Sequence, residues 1–197
     1  MATSTGNVLV GVPVGGGVYM TPAPVDAAAY PTTAIGTALT TPYVAAGFIS
    51  EDGVTESNES DTEKIKAWGG DTVRVVQSDH TVTYSFTFLE SKNPDVLKAV
   101  YGDDNVTAAG DVTTVNVNSS ILEHRSWVFE MKDGDHRIRI FVPDGQITNR
   151  GEVSYTHAGV ISYEVTIEAF PDADGNKAIK VIDSSVPAPA PAPAPVP

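Results

Sequence analysis

Histidines, carboxylates and glycine-rich runs are the groups in this sequence with the capacity for chemistry, and their spacing decides what they can do. His80, His124, His136 and His157 fall on or beside different strand patterns. No H-x-x-x-H or HExxH spacing brings two of them onto one metal, so they read as sheet-surface imidazoles. The best metal candidate is Asp172-Ala173-Asp174-Gly175-Asn176. There Asp172, Asp174 and Asn176 place oxygens on one side of a turn, as calcium loops do. The closing bidentate Glu is missing, since position 183 is Asp, and a plain Asp-Gly turn between strands is favoured. Gly15-Gly16-Gly17 is followed by no GK[ST] and lies in no βα pattern, so it is not a phosphate cradle. No Gly-x-Ser-x-Gly elbow marks a nucleophile. Carboxylate pairs occur everywhere in so acidic a chain and carry no weight for glycoside chemistry without a cleft. The residues therefore indicate no enzyme, no cofactor and no bound metal.

Composition narrows the classes further. The 197 residues carry 25 acids against 12 Lys and Arg, a formal charge of −13. A protein that grips phosphates needs Lys and Arg, so this balance argues against nucleic-acid binding. The absence of cysteine removes disulfides, thiol catalysis and thiolate metal sites together and suits folding in a reducing cytosol. With 41% apolar residues the chain can build one core of ordinary size. The first residues lack a basic n-region, and no run of about 18 apolar residues offers a membrane span. A soluble chain that is not exported by the usual route, with no membrane insertion, is expected. Arg137 and Arg139 share one strand face, with Lys132 and Arg125 nearby. They are candidates for cross-strand pairing with Glu130, Glu164 or Glu168, or for pairing with acids of another subunit.

The elements that must position these groups are mainly β. Val82, Tyr84, Phe86 and Phe88 alternate with Thr and Ser and make the strongest strand. Period-two patterns recur over 127–132, 137–142 and 161–169, with weaker strands at 44–50, 72–77, 112–118, 146–157 and 178–183. Asp133-Gly134 and Asp144-Gly145 read as turns that make 125–157 a run of hairpins. One helix is expected from about 93 to 102: Asn93 caps it, Pro94 occupies its first position, Val96, Leu97 and Val100 form its stripe, and Gly102 ends it. The fold class is thus a β-sandwich or barrel of two packed antiparallel sheets with one flanking helix. Residues 1–43 form a Gly/Pro/Ala-rich arm and first strand region, flexible or ordered at an interface, 44–183 the β domain, and 184–197 an extended Pro-Ala tail. Between strand patterns lies 51–71, whose acid run reads as a solvated loop. Loops this long are uncommon unless they have a task. Its Ile65-Lys66-Ala67-Trp68-Gly69-Gly70 island offers Trp68 either as an anchor for a partner or as a cover for its own core.

At this loop the sequence becomes specific. Gly47-Phe48-Ile49-Ser50-Glu51-Asp52-Gly53-Val54, followed by Asp61-Thr62-Glu63-Lys64-Ile65-Lys66-Ala67-Trp68-Gly69-Gly70-Asp71, resembles the major tail (tail tube) proteins of long-tailed, non-contractile, siphovirus-type phages of actinobacterial hosts. The resemblance covers about 35–183. It implies a structural virion protein, made and assembled in the host cytoplasm. Its hexameric rings would stack into a hollow tube closed by an inner β-barrel. It also implies assembly on a tape-measure protein, joining to tail-end proteins, and passage of DNA through the lumen to the host cell without specific binding. The long loop of such proteins reaches the neighbouring ring. Carried onto this chain, the inter-ring contact falls on Glu51, Asp52, Glu56, Ile65, Trp68, Gly69 and Gly70. The alternatives are a tube subunit of a contractile tail or secretion system, or a calcium- or carbohydrate-binding β-sandwich module built around Asp172–Asn176.

Overall fold

The computed structural model describes residues 8–32 and 35–183; the start of the chain and the Pro-Ala tail of 184–197 lie outside them. Among the described residues, ten strands and one α-helix follow in chain order. They are β1 (Val12–Met20), β2 (Val44–Ala45), β3 (Thr55–Lys66), β4 (Thr72–Phe88), α1 (Pro94–Tyr101), β5 (Val106–Ala109), β6 (Val112–Val115), β7 (Arg125–Asp133), β8 (His136–Arg150), β9 (Tyr163–Phe170) and β10 (Ile179–Ile182). Eight strands form one antiparallel sheet in the order β2-β1-β7-β8-β9-β4-β3, with β10 on β8, while β5 and β6 form a second, two-stranded antiparallel sheet.

Alternation places the core. Tyr84, Phe86 and Phe88 of β4, Val165 and Ile167 of β9, Trp127 and Phe129 of β7 and Val142 of β8 are buried together. Phe86 meets Phe88, Trp127 and Phe129 edge-on, with centroids 4.9–6.1 Å apart, the arrangement aromatic quadrupoles favour. Helix α1 covers this face with Val96, Leu97, Ala99 and Val100. Its start is as the sequence suggests: the Asn93 side chain accepts from the Asp95 amide at 3.0 Å, and Pro94 needs no donor there.

The opposite face at the sheet centre is not open. Val128 and Phe141 are fully buried on it. Tyr30 packs against Phe141 with ring planes tilted by 58° and centroids 4.7 Å apart, so the chain around Tyr30, between β1 and β2, lies on this face.

Four expectations change. The segment 51–71 is not a solvated loop: 55–66 is a strand paired along its length with β4, from Thr55 opposite Ser85 to Lys66 opposite Thr72. The glycine run is not a flexible arm but part of β1. Between Pro13 and Val18 the register with β7 shifts, and Gly15, Gly16 and Gly17, all at positive φ, take up the extra length as a bulge. Asp144-Gly145 is not a hairpin turn, because β8 runs continuously through it. Gly145 is needed for close approach, since a Cβ there would sit 2.9 Å from both Ile167 and Trp127. Finally, the 44–50 strand shrinks to two residues plus an isolated bridge between Ile49 and Phe88.

Candidate assembly surface

A projecting ribbon dominates the surface. Strand β4 pairs with β9 only from Val82 to Phe88, whereas β3 stays paired with β4 out to Lys66. Beyond Glu59 and Thr81 the hairpin is therefore two strands with no third neighbour among the described residues. At about 3.3 Å per residue, the 12 residues of β3 span about 40 Å. Nearly every residue of this ribbon is exposed on both faces. A two-stranded hairpin is marginal on its own in water, and this one carries apolar side chains without cover. Ile65 is 51% exposed, Val73 68% and Val75 55%.

The tip is a five-residue turn. The Ala67 amide donates to Asp71 O at 2.8 Å, and the Gly70 amide donates to Ala67 O at 2.9 Å. Gly70 has φ +92°, and a Cβ on either Gly69 or Gly70 would meet only open space, so these glycines serve the turn and not close packing. Trp68 stands out from this turn completely exposed. Within one chain it does not fold back on its own core. Around it Lys64, Lys66 and Arg74 face a single acid, Asp71, over 64–76, so the tip is net positive in a chain of −13.

The root of the ribbon is held by side chains that the sequence pattern did not mark. Glu90 lies directly under Gly47, where any Cβ would overlap its carboxylate, and its Oε1 accepts the Phe48 amide at 3.1 Å. Its Oε2 accepts from Asn93 Nδ2 at 3.0 Å, so one carboxylate ties the root to the cap of α1. Glu56 pairs with Lys180 Nζ of β10 at 2.6 Å, and Lys177 Nζ donates to the His80 carbonyl. Apart from Glu90 and Asn93, three residues apart, these contacts join residues far apart in sequence, and no local spacing signals them. Beside the root, Phe48, Ile49 and Val54 meet Pro13, Phe129 and Met131 of β1 and β7 around a groove of about 390 Å³. The bulge glycines Gly16 and Gly17 and the acid Glu51 also line it. Phe48 is 71% exposed there.

The predicted contact residues are thus split. Ile65, Trp68, Gly69 and Gly70 gather at the tip, whereas Glu51, Asp52 and Glu56 lie at the root. Arg139 is fully buried in its own chain, with Nη2 donating to Glu130 at 2.6 Å and to Thr37 O at 2.9 Å, and Nη1 to Pro31 O at 3.0 Å. Its role as a pairing residue toward another subunit is corrected to the cross-strand option: Glu130 opposes it directly in the β7–β8 register. Arg137 reaches the same carboxylate at 3.9 Å and keeps partial exposure. At the other candidate site, Asp172 Oδ1 accepts the amides of Asp174 and Asn176 at 3.0 and 2.8 Å, closing an Asx-type turn with Gly175 at φ +84°. Among the described residues, no three His, Asp or Glu side chains gather as metal ligands. His124 contacts Asp144 Oδ1 at 2.6 Å and His80 contacts Asn58 Oδ1 at 2.9 Å, each in a pair of its own.

A model of the phage tail tube protein family matches residues 1–194, almost the whole chain. The chain belongs to the phage tail tube protein family. As a tail tube protein of phage it is structural, not enzymatic, and its copies build a multi-subunit tube. No curated protein matches the sequence. Solved structures with similarity include a chain of the PVC sheath-tube complex of an extracellular contractile injection system in its extended state. It is 10% identical, with 91% of this chain and 98% of that chain covered and a TM-score of 0.46. A chain of the anti-feeding prophage tube-terminating cap is 8% identical over the same shares, with a TM-score of 0.43. A chain of the native gene transfer agent virion is 12% identical over 66% of this chain and 85% of that one, with a TM-score of 0.38.

Proposed function

We propose that six copies of this tail tube protein close into a ring, that rings stack into the tube of a long non-contractile phage tail, and that the genome passes through the lumen to the host cell. The observation that carries this reading is the uncovered ribbon of β3 and β4. Its apolar side chains and unpaired edge are a liability in a free monomer and are resolved when another copy covers them. Head-to-tail contacts between unlike surfaces do not close on themselves along an axis, so they generate a filament, which a tube requires. The non-contractile type and the actinobacterial host rest on the resemblance of 47–54 and 61–71, and assembly with tape-measure and tail-end proteins follows from the same likeness.

Negative-stain electron microscopy of the purified chain tests the proposal. Six-fold rings or hollow tubes with a central channel are the expected result. A homogeneous monomer at high concentration, under salt conditions that also keep the chain folded, sinks it.

A further inference from the structure

We propose that the Pro-Ala run of one copy docks, as a polyproline II ligand, in a tyrosine cleft at the far end of β8 in a second copy. The cleft forms where α1 and β8 end and β9 begins. Tyr101, the last residue of α1, and Tyr163, the first of β9, meet edge-on with centroids 5.9 Å apart and ring planes at 86°. With Val117 and Arg150 they line a cleft of about 200 Å³. Burial first, then the neighbouring Tyr101 and Tyr155 hydroxyls, raise the Tyr163 hydroxyl above its ordinary pKa of 10.0. Burial and Tyr155 act on Tyr101 in the same direction, so three hydroxyls converge here. Tyr155 and Val117 are largely exposed, and nothing in their own chain covers the cleft among the described residues.

The donors of this cleft lack acceptors. Tyr163 is 7% exposed, yet its hydroxyl has no hydrogen-bond partner among the described residues, and neither have those of Tyr101 and Tyr155. Arg150 uses only Nη1, which donates to Val100 O at 3.1 Å. Aromatic faces beside unpaired donors suit a ligand that is apolar and offers acceptors alone. Proline has a carbonyl and no N–H, and polyproline II makes no internal hydrogen bonds, so its carbonyls stay available. Aromatic-lined grooves take such segments. This chain carries one: every second residue from Pro187 to Pro197 is proline, and no charged side chain follows Asp183.

Sheet register directs the run to another copy. The Asp183 amide donates to Arg137 O at 2.8 Å, so the chain leaves the sheet at the start of β8, whereas Arg150 and the cleft lie at its end. At about 3.3 Å per residue, about 43 Å of strand separates the two. Pro187 to Pro191 lie within about 29 Å of Asp183 even when fully extended, so they fall short of their own cleft. Seating the middle of the run therefore takes a second copy. Exit and cleft are unlike surfaces, so the contact is heterologous and propagates from copy to copy. It does not depend on how many copies close a ring.

The absence of cysteine makes a cross-linking test clean. Ser154→Cys is nearly isosteric at an exposed position beside Tyr155, and Ala192→Cys lies within the run. Full-length chains carrying one or the other are mixed and treated with a short bifunctional maleimide. The mixture is expected to give covalent dimers on a denaturing gel at least fivefold above either variant alone. No such excess overturns the docking. An internal bridge in a chain carrying both cysteines, without dimers from the mixture, places the run on its own copy and overturns it as well. Tyr155→Ala in the first partner, or Pro189→Ser with Pro191→Ser and Pro193→Ser in the second, is expected to lower the dimer yield at least fivefold. Dimers undiminished by both show proximity without recognition and overturn the assigned chemistry. As a second measure, a labelled synthetic peptide of residues 184–197 is expected to bind the unassembled full chain saturably in fluorescence anisotropy. Tyr155→Ala is expected to weaken it at least tenfold with the melting temperature unchanged, and the absence of saturable binding argues against the cleft. Gel and anisotropy are read without regard to rings in the microscope, so this contact and the tube reading stand or fall separately.

Discussion

Glu130 and Arg139 show how far a charged side chain can depart from its sequence neighbourhood. Their side chains are 3% and 2% exposed and their N–O separation is 2.6 Å. Taking one partner away leaves the other charge buried without compensation, which costs about 3–5 kcal/mol, whereas replacing both by apolar groups is often neutral. Glu130→Gln is therefore expected to lower stability by about 3–5 kcal/mol in denaturant unfolding of the unassembled subunit. A Glu130→Gln loss below about 1 kcal/mol contradicts the buried-pair account. Tyr84 makes a second residue-scale case. Burial, aided by the nearby Glu56 carboxylate, pushes its hydroxyl pKa well above the ordinary value of 10.0. A raised folded-state value means the neutral form is favoured by folding, so this contribution is complete below pH 10 and lost as pH rises toward the folded value. Tyr84→Phe is expected to change melting temperature little at pH 7 and to flatten its fall above pH 10. An unchanged alkaline slope would show that another group governs it.

At the scale of elements, what the sequence revealed depended on whether a side chain pattern had a buried face to record. Strand β4 from Val82 to Phe88 was legible because its alternate residues enter the core. Helix α1 was legible because its cap, its Pro94 and its Gly102 are local chemistry. Strand β3 was not, because Thr55-Glu56-Ser57-Asn58-Glu59-Ser60-Asp61 has no apolar face to alternate; both of its faces meet solvent in the free chain. The same reason hid the cover over Arg139. A strand that alternates Arg with Ile reads as half solvated, and nothing near it in sequence announces that the carbonyls of Pro31 and Thr37 meet Arg139. Trp68 was found by its oddity, and the structure places it at a tip with no contact to lose within its own chain. Trp68→Ala is thus expected to shift subunit stability by no more than about 0.5 kcal/mol, as surface substitutions do, while reducing tube length and yield. Tubes of unchanged length and thermal endurance would remove Trp68 from the joint.

For the whole molecule, the −13 charge is a property to be divided among surfaces. Seven acids and no base fall before residue 64, and most of those acids lie along the ribbon and its root, the part that another copy is proposed to cover. In the proposed assembly another copy covers the ribbon, and its three tip bases are expected to be withdrawn from solvent there. What remains on the surface that encloses the lumen is expected to be poor in unpaired cations. A duplex with one phosphate charge per about 1.7 Å gains affinity chiefly by releasing counterions to Lys and Arg, and a surface without free bases offers no such release. Assembled tubes are therefore expected to leave the fluorescence anisotropy of a labelled duplex unchanged at about 0.15 M ionic strength, where screening acts over about 8 Å. Unassembled subunits, whose Lys64, Lys66 and Arg74 stand open, are expected to bind weakly at low salt and to lose that binding as tubes form. Saturable binding that survives assembly and falls steeply with salt would move those bases from the joint into the channel, and with them the direction in which the ribbon points.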